Sequence, residues 1–261
     1  MKIAILNDTH AGIRNSSDIF MDYQEKFYRD VFFPYLRENG ITQILHLGDY
    51  YDNRKTVNFK ALGHNRKIFL EKLREYGITM DIIPGNHDVY YKNTNELNAL
   101  KELQGHYMNE VNLVMEPTVL DYEGLKMGLV PWICKENEEQ CLDFIANCKA
   151  DFIGGHFDII GYEMMKGIKC DHGLDRNLFS RFEMVMSGHF HTKSNQDNIR
   201  SLGYDITGME WEVKMDKVKY LDNNEMCAIC FADFKKLMIK SRKLKFSSNT
   251  SVRSSDQIIM V

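Results

Sequence analysis

Short apolar runs alternate with longer amphipathic stretches over the first two hundred residues, and this alternation restricts the fold more than any other feature. The amphipathic stretches 18–39 and 58–76 carry apolar residues at helical spacing, and Pro34 predicts a kink near the end of the first helix. Strands are predicted at 2–6, 43–47, 79–83, 111–115, 126–130, 152–154 and 184–186, with a further helix at 135–148. Strands that are joined by helices pair in parallel, so we predict an α/β fold whose central sheet is covered on both faces.

Five of the predicted strands end directly in residues of the types that bind metal ions. These residues are Asp8 and His10, Asp49, Asn86 and His87, His156, and His189 and His191. In open α/β sheets ligands bind beyond the carboxyl ends of the strands, so five such ends are expected to converge on one site. One histidine in a turn is as easily structural as functional, and it is the joint occurrence that indicates a shared site. The remaining histidines, His46, His64, His106 and His172, lie outside these turns and are interpreted as structural.

The candidate ligands are carboxylates, an amide oxygen and imidazoles, without a thiolate. This set favours Mn²⁺ or Fe²⁺ and allows Zn²⁺. Two ions about 3.5–4 Å apart, bridged by one carboxylate, would clamp a phosphoryl oxygen and generate hydroxide near neutral pH. The strand ends therefore predict hydrolysis of a phosphate ester without a covalent intermediate.

Composition excludes several other classes of protein. The apolar fraction of 44% and charged fraction of 27% are those of a globular protein and not of a disordered one. A net charge of −4 argues against nucleic-acid binding through a generally basic surface, although metal ions can attract phosphate to an acidic protein. The apolar run behind Met1 is too short for a signal peptide or membrane span, so we expect a cytoplasmic location and no membrane partner. The cysteines are expected to be reduced, and Cys227-Ala-Ile-Cys230 lacks the second pair of ligands that a zinc knuckle needs.

The pattern Asp-x-His, Gly-Asp-x-x-Asp, Gly-Asn-His-Asp, Gly-His and Gly-His-x-His, complete from Asp8 to His191, resembles that of the calcineurin-like metallophosphoesterases. The resemblance implies a layered sandwich with central β-sheets flanked by helices. It implies that one metal ion is held by Asp8, His10 and His191, and the other by Asn86, His156 and His189, with Asp49 between them. His87 would orient the phosphate or protonate the leaving oxygen, Asp88 would hold the ring of His87, and Asp52 would support a metal ligand.

Within this family the chain is most similar to the SbcD-type DNA nucleases, in particular the recombination endonuclease subunits of bacteriophages. The similarity lies in the stretches 49–55, 85–93, 130–137, 154–161 and 187–192. It implies a Mn²⁺-dependent 3′–5′ exonuclease for double-stranded DNA that also cuts single strands, acting in recombination and repair with an SbcC-type ATPase subunit. A homodimer is left open. Arg54, Lys55 and Lys92 lie near the active-site loops and are candidate contacts to DNA phosphates.

The resemblance covers residues 1–203, which we predict to be the nuclease domain. Residues 204–261 form a divergent C-terminal segment, interpreted as a reduced DNA-capping region in which 226–246 could supply two strands. The six basic residues of 235–245 suit either a DNA-facing strip or a solvated strand face, and the second is favoured. Docking of the ATPase cannot be assigned to this segment.

Two other functions fit the same ligand set. The first is a calcineurin-like enzyme for another phosphate ester, such as a phosphoprotein or a cyclic nucleotide. The second is a scaffold protein that has lost activity, which the complete set of ligands argues against. The aromatic pairs Tyr50-Tyr51 and Tyr90-Tyr91 could stack on a frayed base, but pairs of this kind after strands are more often packing residues.

Overall fold

The computed structural model describes residues 2–107, 109–165, 167–190 and 194–202, together with the backbone of 210–214, 217–221 and 259–260. Its strands are β1 (Ile3–Leu6), β2 (Gln43–His46), β3 (Thr79–Ile82), β4 (Val111–Leu113), β5 (Thr118–Tyr122), β6 (Leu125–Val130), β7 (Phe152–Gly155), β8 (Glu163–Met165), β9 (Ile168–Lys169), β10 (Met184–Ser187), β11 (Ser194–Gln196), β12 (Ile199–Ser201), β13 (Glu210–Lys214), β14 (Lys217–Leu221) and β15 (Ile259–Met260). Every strand predicted from the apolar runs is present within one or two residues.

The described helices include those that the amphipathic stretches predict at 18–39, 58–76 and 135–148, and two short helices, Ile13–Ser16 and Ala99–Leu103, that were not predicted. In chain order the described helices are α1 (Ile13–Ser16), α2 (Asp18–Phe27), α3 (Phe33–Glu38), α4 (Phe59–Asn65), α5 (Glu71–Tyr76), α6 (Ala99–Leu103) and α7 (Glu138–Asn147). A π-helical turn, Tyr28–Phe32, joins α2 to α3, and Pro34 is the second residue of α3. Proline has no N–H and clashes with the carbonyl four residues earlier. The kink predicted from Pro34 therefore occurs as a π-helical turn, which is wider than an α-helical one.

Two sheets form the centre of the molecule. The first has the order β15-β1-β2-β3-β4 and is parallel throughout. The second has the order β11-β12-β10-β7-β6-β5, with four parallel inner strands and an antiparallel strand at each edge. The single central sheet predicted from the alternation is therefore wrong, whereas the layered sandwich implied by the family resemblance is confirmed. Alternation alone cannot say which strands share a sheet, because pairing is decided by contacts distant in sequence.

The two faces of each parallel strand are buried against different layers. In β1, Ala4 and Leu6 belong to an apolar cluster formed with the helices and with the π-helical turns Tyr28–Phe32 and Arg66–Leu70. Ile3 and Ile5 pack against the second sheet. A third cluster lies between the second sheet and α7. The layers are thus helix, sheet, sheet and helix, and burial of each large apolar side chain contributes roughly 1.5–3 kcal/mol.

Several predictions concern residues whose placement is not described. The predicted strands at 226–246, the basic strip at 235–245 and the Cys227–Cys230 pair lie outside the described residues. The domain boundary after residue 203 stays a prediction. Among the helices that are described, none combines the length and the apolar composition needed to cross a membrane.

Candidate metal centre

The loops that follow β1 and β2 run side by side. The backbone N–H of Asp8 donates to the carbonyl of Gly48 at 2.9 Å, and that of His10 donates to the carbonyl of Asp49 at 3.0 Å. Asp8, His10, Asp49 and His189 all have a positive φ, between 44° and 83°. This conformation is strained for residues other than glycine, at roughly 1–3 kcal/mol each, and such strain concentrates at functional sites. Four of the predicted ligands therefore have this strained backbone conformation.

Asp49 lies at the centre of the site and is buried. Its Oδ1 accepts a hydrogen bond from the backbone N–H of His87 at 2.7 Å. Its Oδ2 lies 3.2 Å from Nε2 of His156 and 3.8 Å from Nε2 of His10. One carboxylate therefore faces imidazoles from the first sheet and from the second.

Two groups of side chains share this carboxylate. His10, Asp49 and His87 form one group, and Asp49, His156 and His189 form the other, with the ligand atoms of each group within 4.8 Å of one another. In the second group, Nδ1 of His156 donates to the carbonyl of Leu47 at 2.7 Å. This bond leaves Nε2 of His156 to face Asp49, with Oδ1 of Asn86 at 3.1 Å.

Asp8 connects the two sheets at this site. Its carboxylate accepts from the backbone N–H of His189, with Oδ2 at 3.0 Å, and its Oδ1 lies 3.8 Å from Nε2 of His10. Six of the seven predicted ligands are thus brought together: Asp8, His10, Asp49, Asn86, His156 and His189. The seventh, His191, lies outside the described residues.

The charges of the buried carboxylates dominate the electrostatics of the site. Burial lowers the pKa of His156, but the charges of Asp49 and Asp8 outweigh burial and raise it to about 9. Burial also opposes the charged form of His10, yet the neighbouring aspartates raise its pKa as well. For Asp49 burial raises the pKa, and the opposing charge of His156 outweighs this and lowers it. The site therefore attracts positive charge.

The donor set fits two divalent cations. Asp49 belongs to both groups, as a bridging ligand must, and the ligand atoms are oxygen and imidazole nitrogen. The backbone is also shaped closely around the ligands. A Cβ atom at Gly188 would lie 2.8 Å from Oδ2 of Asp8 and 2.9 Å from Nδ1 of His156. Glycine is required there because the backbone itself forms the wall of the site.

Gly85 offers a direct test of this close fit. A Cβ atom at Gly85 would collide with the backbone N of Asp49 and lie 2.9 Å from its Cγ. We expect Gly85→Ala to displace Asp49 and weaken Mn²⁺ binding by about 10–100-fold, as loss of a supporting contact does. Isothermal titration with Mn²⁺ measures the effect. Gly63→Ala is the control, since no atom lies within 4 Å of its Cβ position; equal affinities for the two variants would contradict the prediction.

The structure corrects the predicted role of Asp88. Its buried carboxylate accepts from the backbone N–H groups of Gly85, Tyr50 and Tyr51, at 2.9, 3.2 and 3.0 Å. Burial raises the pKa of Asp88 to about 7, with a further contribution from the charge of Asp49. The ring of His87 has another partner. Asp88 therefore fastens the loop after β3 to the loop after β2 and does not hold the ring of His87.

The partner of the His87 ring is a backbone carbonyl. Nδ1 of His87 donates to the carbonyl of Asp52 at 2.6 Å. The side chain of Asp52 points toward His10 instead, with Oδ1 at 3.4 Å from Nδ1 of that ring. A carboxylate in this position can support His10 as a metal ligand, which is the role predicted for Asp52. The sequence motif correctly marks these residues as neighbours, but it does not show which atom of each one makes the contact.

Asp158 is a residue of the site that sequence reasoning missed. Its Oδ1 lies 2.7 Å from Nε2 of His189. Burial raises the pKa of Asp158, but the hydrogen bond and charge of His189 outweigh it and lower the pKa. A carboxylate in this position fixes the tautomer of a metal-binding histidine. The available signal was its place two residues after His156, at the end of the same strand.

The remaining histidines and the predicted DNA contacts lie around the centre. His46 is buried beside Thr9, with Nε2 at 3.0 Å from the hydroxyl, and burial lowers its pKa to about 3. His172 is exposed and pairs with Asp171, although its ring also lies near Asp158 and Cys170. Lys55 and Lys92 are exposed, whereas Arg54 is half-buried; their contacts to DNA stay a prediction.

Comparison of this chain with known proteins identifies its family. The family model described as calcineurin-like phosphoesterase matches residues 1–193. Exonuclease subunit 1 of Enterobacteria phage T4 is 36% identical over 203 residues, which cover 78% of this chain. The chain spans 59% of the length of that relative.

Among solved structures, TT1561 of Thermus thermophilus matches this chain at 13% identity and a TM-score of 0.47, covering 83% of this chain and 96% of that one. The nuclease MPE of Pseudomonas putida is 17% identical with a TM-score of 0.35, covering 81% of this chain and 70% of that one. The family model alone spans most of the chain, including all of the candidate ligands that the structure describes. This chain therefore belongs to the calcineurin-like phosphoesterase family, whose members are metal-dependent hydrolases of phosphoester bonds.

Proposed function

We propose that the chain is a DNA nuclease that hydrolyses phosphodiester bonds with two divalent metal ions, with Mn²⁺ as the preferred ion. The observation that carries the two-metal proposal is the sharing of Asp49 by two groups of imidazoles. The DNA substrate is supported by the identity to the phage exonuclease subunit. By that similarity the activity would be 3′–5′ digestion of duplex DNA and cutting of single strands, in recombination and repair.

The proposed ligands divide between two ions. Asp8, His10 and His191 would hold the first, and Asn86, His156 and His189 the second, with Asp49 shared. When bound, the ions supply a hydroxide nucleophile and neutralise charge on the phosphoryl oxygens. The contribution of Asp158 is to keep Nε2 of His189 protonated, so that Nδ1 is the nitrogen offered to a metal.

His87 is the proposed proton donor or phosphate-orienting group. The hydrogen bond from Nδ1 to the carbonyl of Asp52 fixes the orientation of the ring, and the ring packs edge-on against His10 with centroids 4.9 Å apart. A bond of this kind directs Nε2 away from Asp52 and toward the substrate. At that atom the ring can deliver a proton to the leaving oxygen.

A Mn²⁺-dependent assay on end-labelled duplex DNA tests the proposal. Parallel reactions contain a phosphopeptide and a cyclic nucleotide, which represent the other substrates that this ligand set allows. Release of nucleotides from the 3′ end supports the nuclease. If only the phosphopeptide or the cyclic nucleotide is hydrolysed, that ester and not DNA is the substrate. Absence of both Mn²⁺ binding and turnover would favour an inactive scaffold.

Arg54, Lys55 and Lys92 are the proposed contacts to DNA phosphates. Nη1 of Arg54 is buried and has no hydrogen-bond partner within the described part of the chain. A buried donor without an acceptor is costly, and a phosphate oxygen is the acceptor that suits guanidinium best. Arg54 also follows by two residues Asp52, whose carbonyl accepts a hydrogen bond from the ring of His87.

We expect Arg54→Ala to weaken binding of duplex DNA and to reduce the slope of log affinity against log salt by about one, as loss of one phosphate contact does. Fluorescence anisotropy over a salt series measures this, in a His87→Ala background in which cleavage of the DNA is expected to be slowed. Lys72→Ala is the matched control, because Lys72 is an exposed cation paired with Glu75 on α5. An unchanged salt slope for Arg54→Ala would remove this residue from the interface.

An ATPase subunit of the SbcC type is the proposed protein partner, since the phage relative is itself named as a subunit. A second copy of this chain is the alternative partner. Size-exclusion chromatography with and without a purified SbcC-type ATPase distinguishes the two. Co-elution with the ATPase supports the first, and a dimer mass for the chain alone supports the second.

A further inference from the structure

Two pairs of tyrosines follow strands that end in predicted ligands, and the structure separates them sharply. Tyr50 and Tyr51 are buried, and the hydroxyl of Tyr50 donates to Oδ1 of Asn65 at 2.7 Å. Tyr90 and Tyr91 are 38% and 50% exposed. The first pair is part of the core. The second pair presents aromatic surface to solvent three residues after His87.

The exposed rings contact each other. Their centroids are 4.8 Å apart and their planes are inclined at 75°, which is the edge-to-face arrangement favoured by aromatic pairs. Lys92, the next residue, is also exposed. The loop therefore presents an aromatic face and a cation side by side, the combination that binds a base and its phosphate.

The loop that carries these rings is held at its base. Val89 pairs with Asn98 as an antiparallel bridge, and the backbone N–H of Tyr90 donates to the carbonyl of Leu97 at 2.9 Å. The side chain of Asn98 donates to the carbonyl of Asn95 at 2.8 Å. Aromatic side chains on an anchored loop lose little conformational freedom when a ligand binds.

The far side of the loop is held against the metal centre. Nδ2 of Asn95 donates to the carbonyl of Trp132 at 2.7 Å. The ring of Trp132 in turn lies with its centroid 5.3 Å from that of His189 and 5.9 Å from that of His156. The chain from His87 to Tyr90 can span at most about 11 Å. The backbone of Tyr90 therefore lies within about 11 Å of that of His87, a residue of the candidate metal centre.

We propose that Tyr90 and Tyr91 stack on an unpaired base at the end of a DNA substrate and hold the frayed strand at the metal centre. The inference rests on the proposed nuclease function and adds how that site receives its substrate. Stacking is independent of sequence because every base has an aromatic face, so it suits an enzyme that must act on any end. Lys92 would contact the phosphate of the same nucleotide.

The test compares a flush duplex with one whose three terminal base pairs are mismatched, each with 2-aminopurine as the 3′ base. Wild-type protein is expected to bind the mismatched end more tightly and to quench the 2-aminopurine. In the double variant Tyr90→Ala/Tyr91→Ala the affinity for the mismatched end should fall by roughly 5- to 150-fold, the range for loss of one base stack. Tyr90→Phe/Tyr91→Phe keeps the rings and should restore both affinity and quenching.

The outcomes separate the two proposals. Mn²⁺ binding to the alanine variant is measured first, to establish that the metal centre has formed. DNA cleavage by wild type together with unchanged preference and quenching in the alanine variant overturns the stacking role and leaves the nuclease function in place. A wild-type protein that cleaves neither duplex overturns the nuclease function and the stacking role with it.

Discussion

Replacing Asp49 with asparagine is expected to abolish hydrolysis, because this one carboxylate faces both groups of candidate ligands. Its Oδ2 lies 3.2 Å from Nε2 of His156 and 3.8 Å from Nε2 of His10. Asparagine keeps the shape and can still accept from the backbone N–H of His87, but it removes the negative charge. Removal of a supporting residue costs about 10–100-fold in metal affinity, and a shared ligand should cost more.

Isothermal titration with Mn²⁺ and turnover of labelled DNA measure the two consequences of Asp49→Asn separately. Asp30→Asn is the matched control, since Asp30 is an exposed carboxylate paired with Arg29 in the π-helical turn Tyr28–Phe32. We expect the control to bind two ions and to keep its activity. Two ions bound by Asp49→Asn with wild-type turnover would show that Asp49 is not the bridging ligand.

His87→Ala has the second largest expected effect, a fall in kcat of about 10²–10⁴-fold on DNA, the range for loss of a general acid. The prediction depends on the leaving group. A 4-nitrophenolate leaves without protonation, so bis(4-nitrophenyl) phosphate should lose far less activity than DNA. Measuring kcat for both substrates therefore distinguishes proton donation from phosphate binding. Mn²⁺ affinity should stay within a few-fold of wild type.

His106→Ala is the control for this substitution, since His106 is exposed and lies in the turn after α6. Equal losses on the two substrates would assign His87 to orientation of the phosphate. Unchanged turnover on both would remove it from the reaction. Either result leaves the ligand assignments intact, because the hydrogen bond that orients the ring of His87 goes to the carbonyl of Asp52 and not to a predicted ligand.

The ligand positions were predictable because they are local properties of the chain. An apolar strand that stops at Asp8 or Asp49 is recognisable from neighbouring residues, and so is the glycine that precedes His156 or His189. The rule that strand ends converge then places these residues together without knowledge of the contacts. In the described structure, six of the predicted ligands lie together at the ends of these strands.

The contacts among these residues were not predictable. Asp88 was assigned to the ring of His87, its neighbour in sequence, but its carboxylate binds backbone N–H groups of Tyr50 and Tyr51, almost forty residues away. Asp158 became part of the site only through His189, in the loop after a strand about thirty residues later. A buried carboxylate takes the donors that the fold places around it, and nearness in sequence does not determine them.

The sequence by itself determined which residues end the strands, which chemistry they offer and the order in which helices and strands alternate, because each of these depends on nearby residues. Only the tertiary structure decided that the strands form two sheets, that Asp49 serves both groups of imidazoles, and that Tyr50-Tyr51 is buried while Tyr90-Tyr91 is exposed. The physical reason is that burial and hydrogen-bond partnership are set by residues distant in the chain, which a local pattern does not contain.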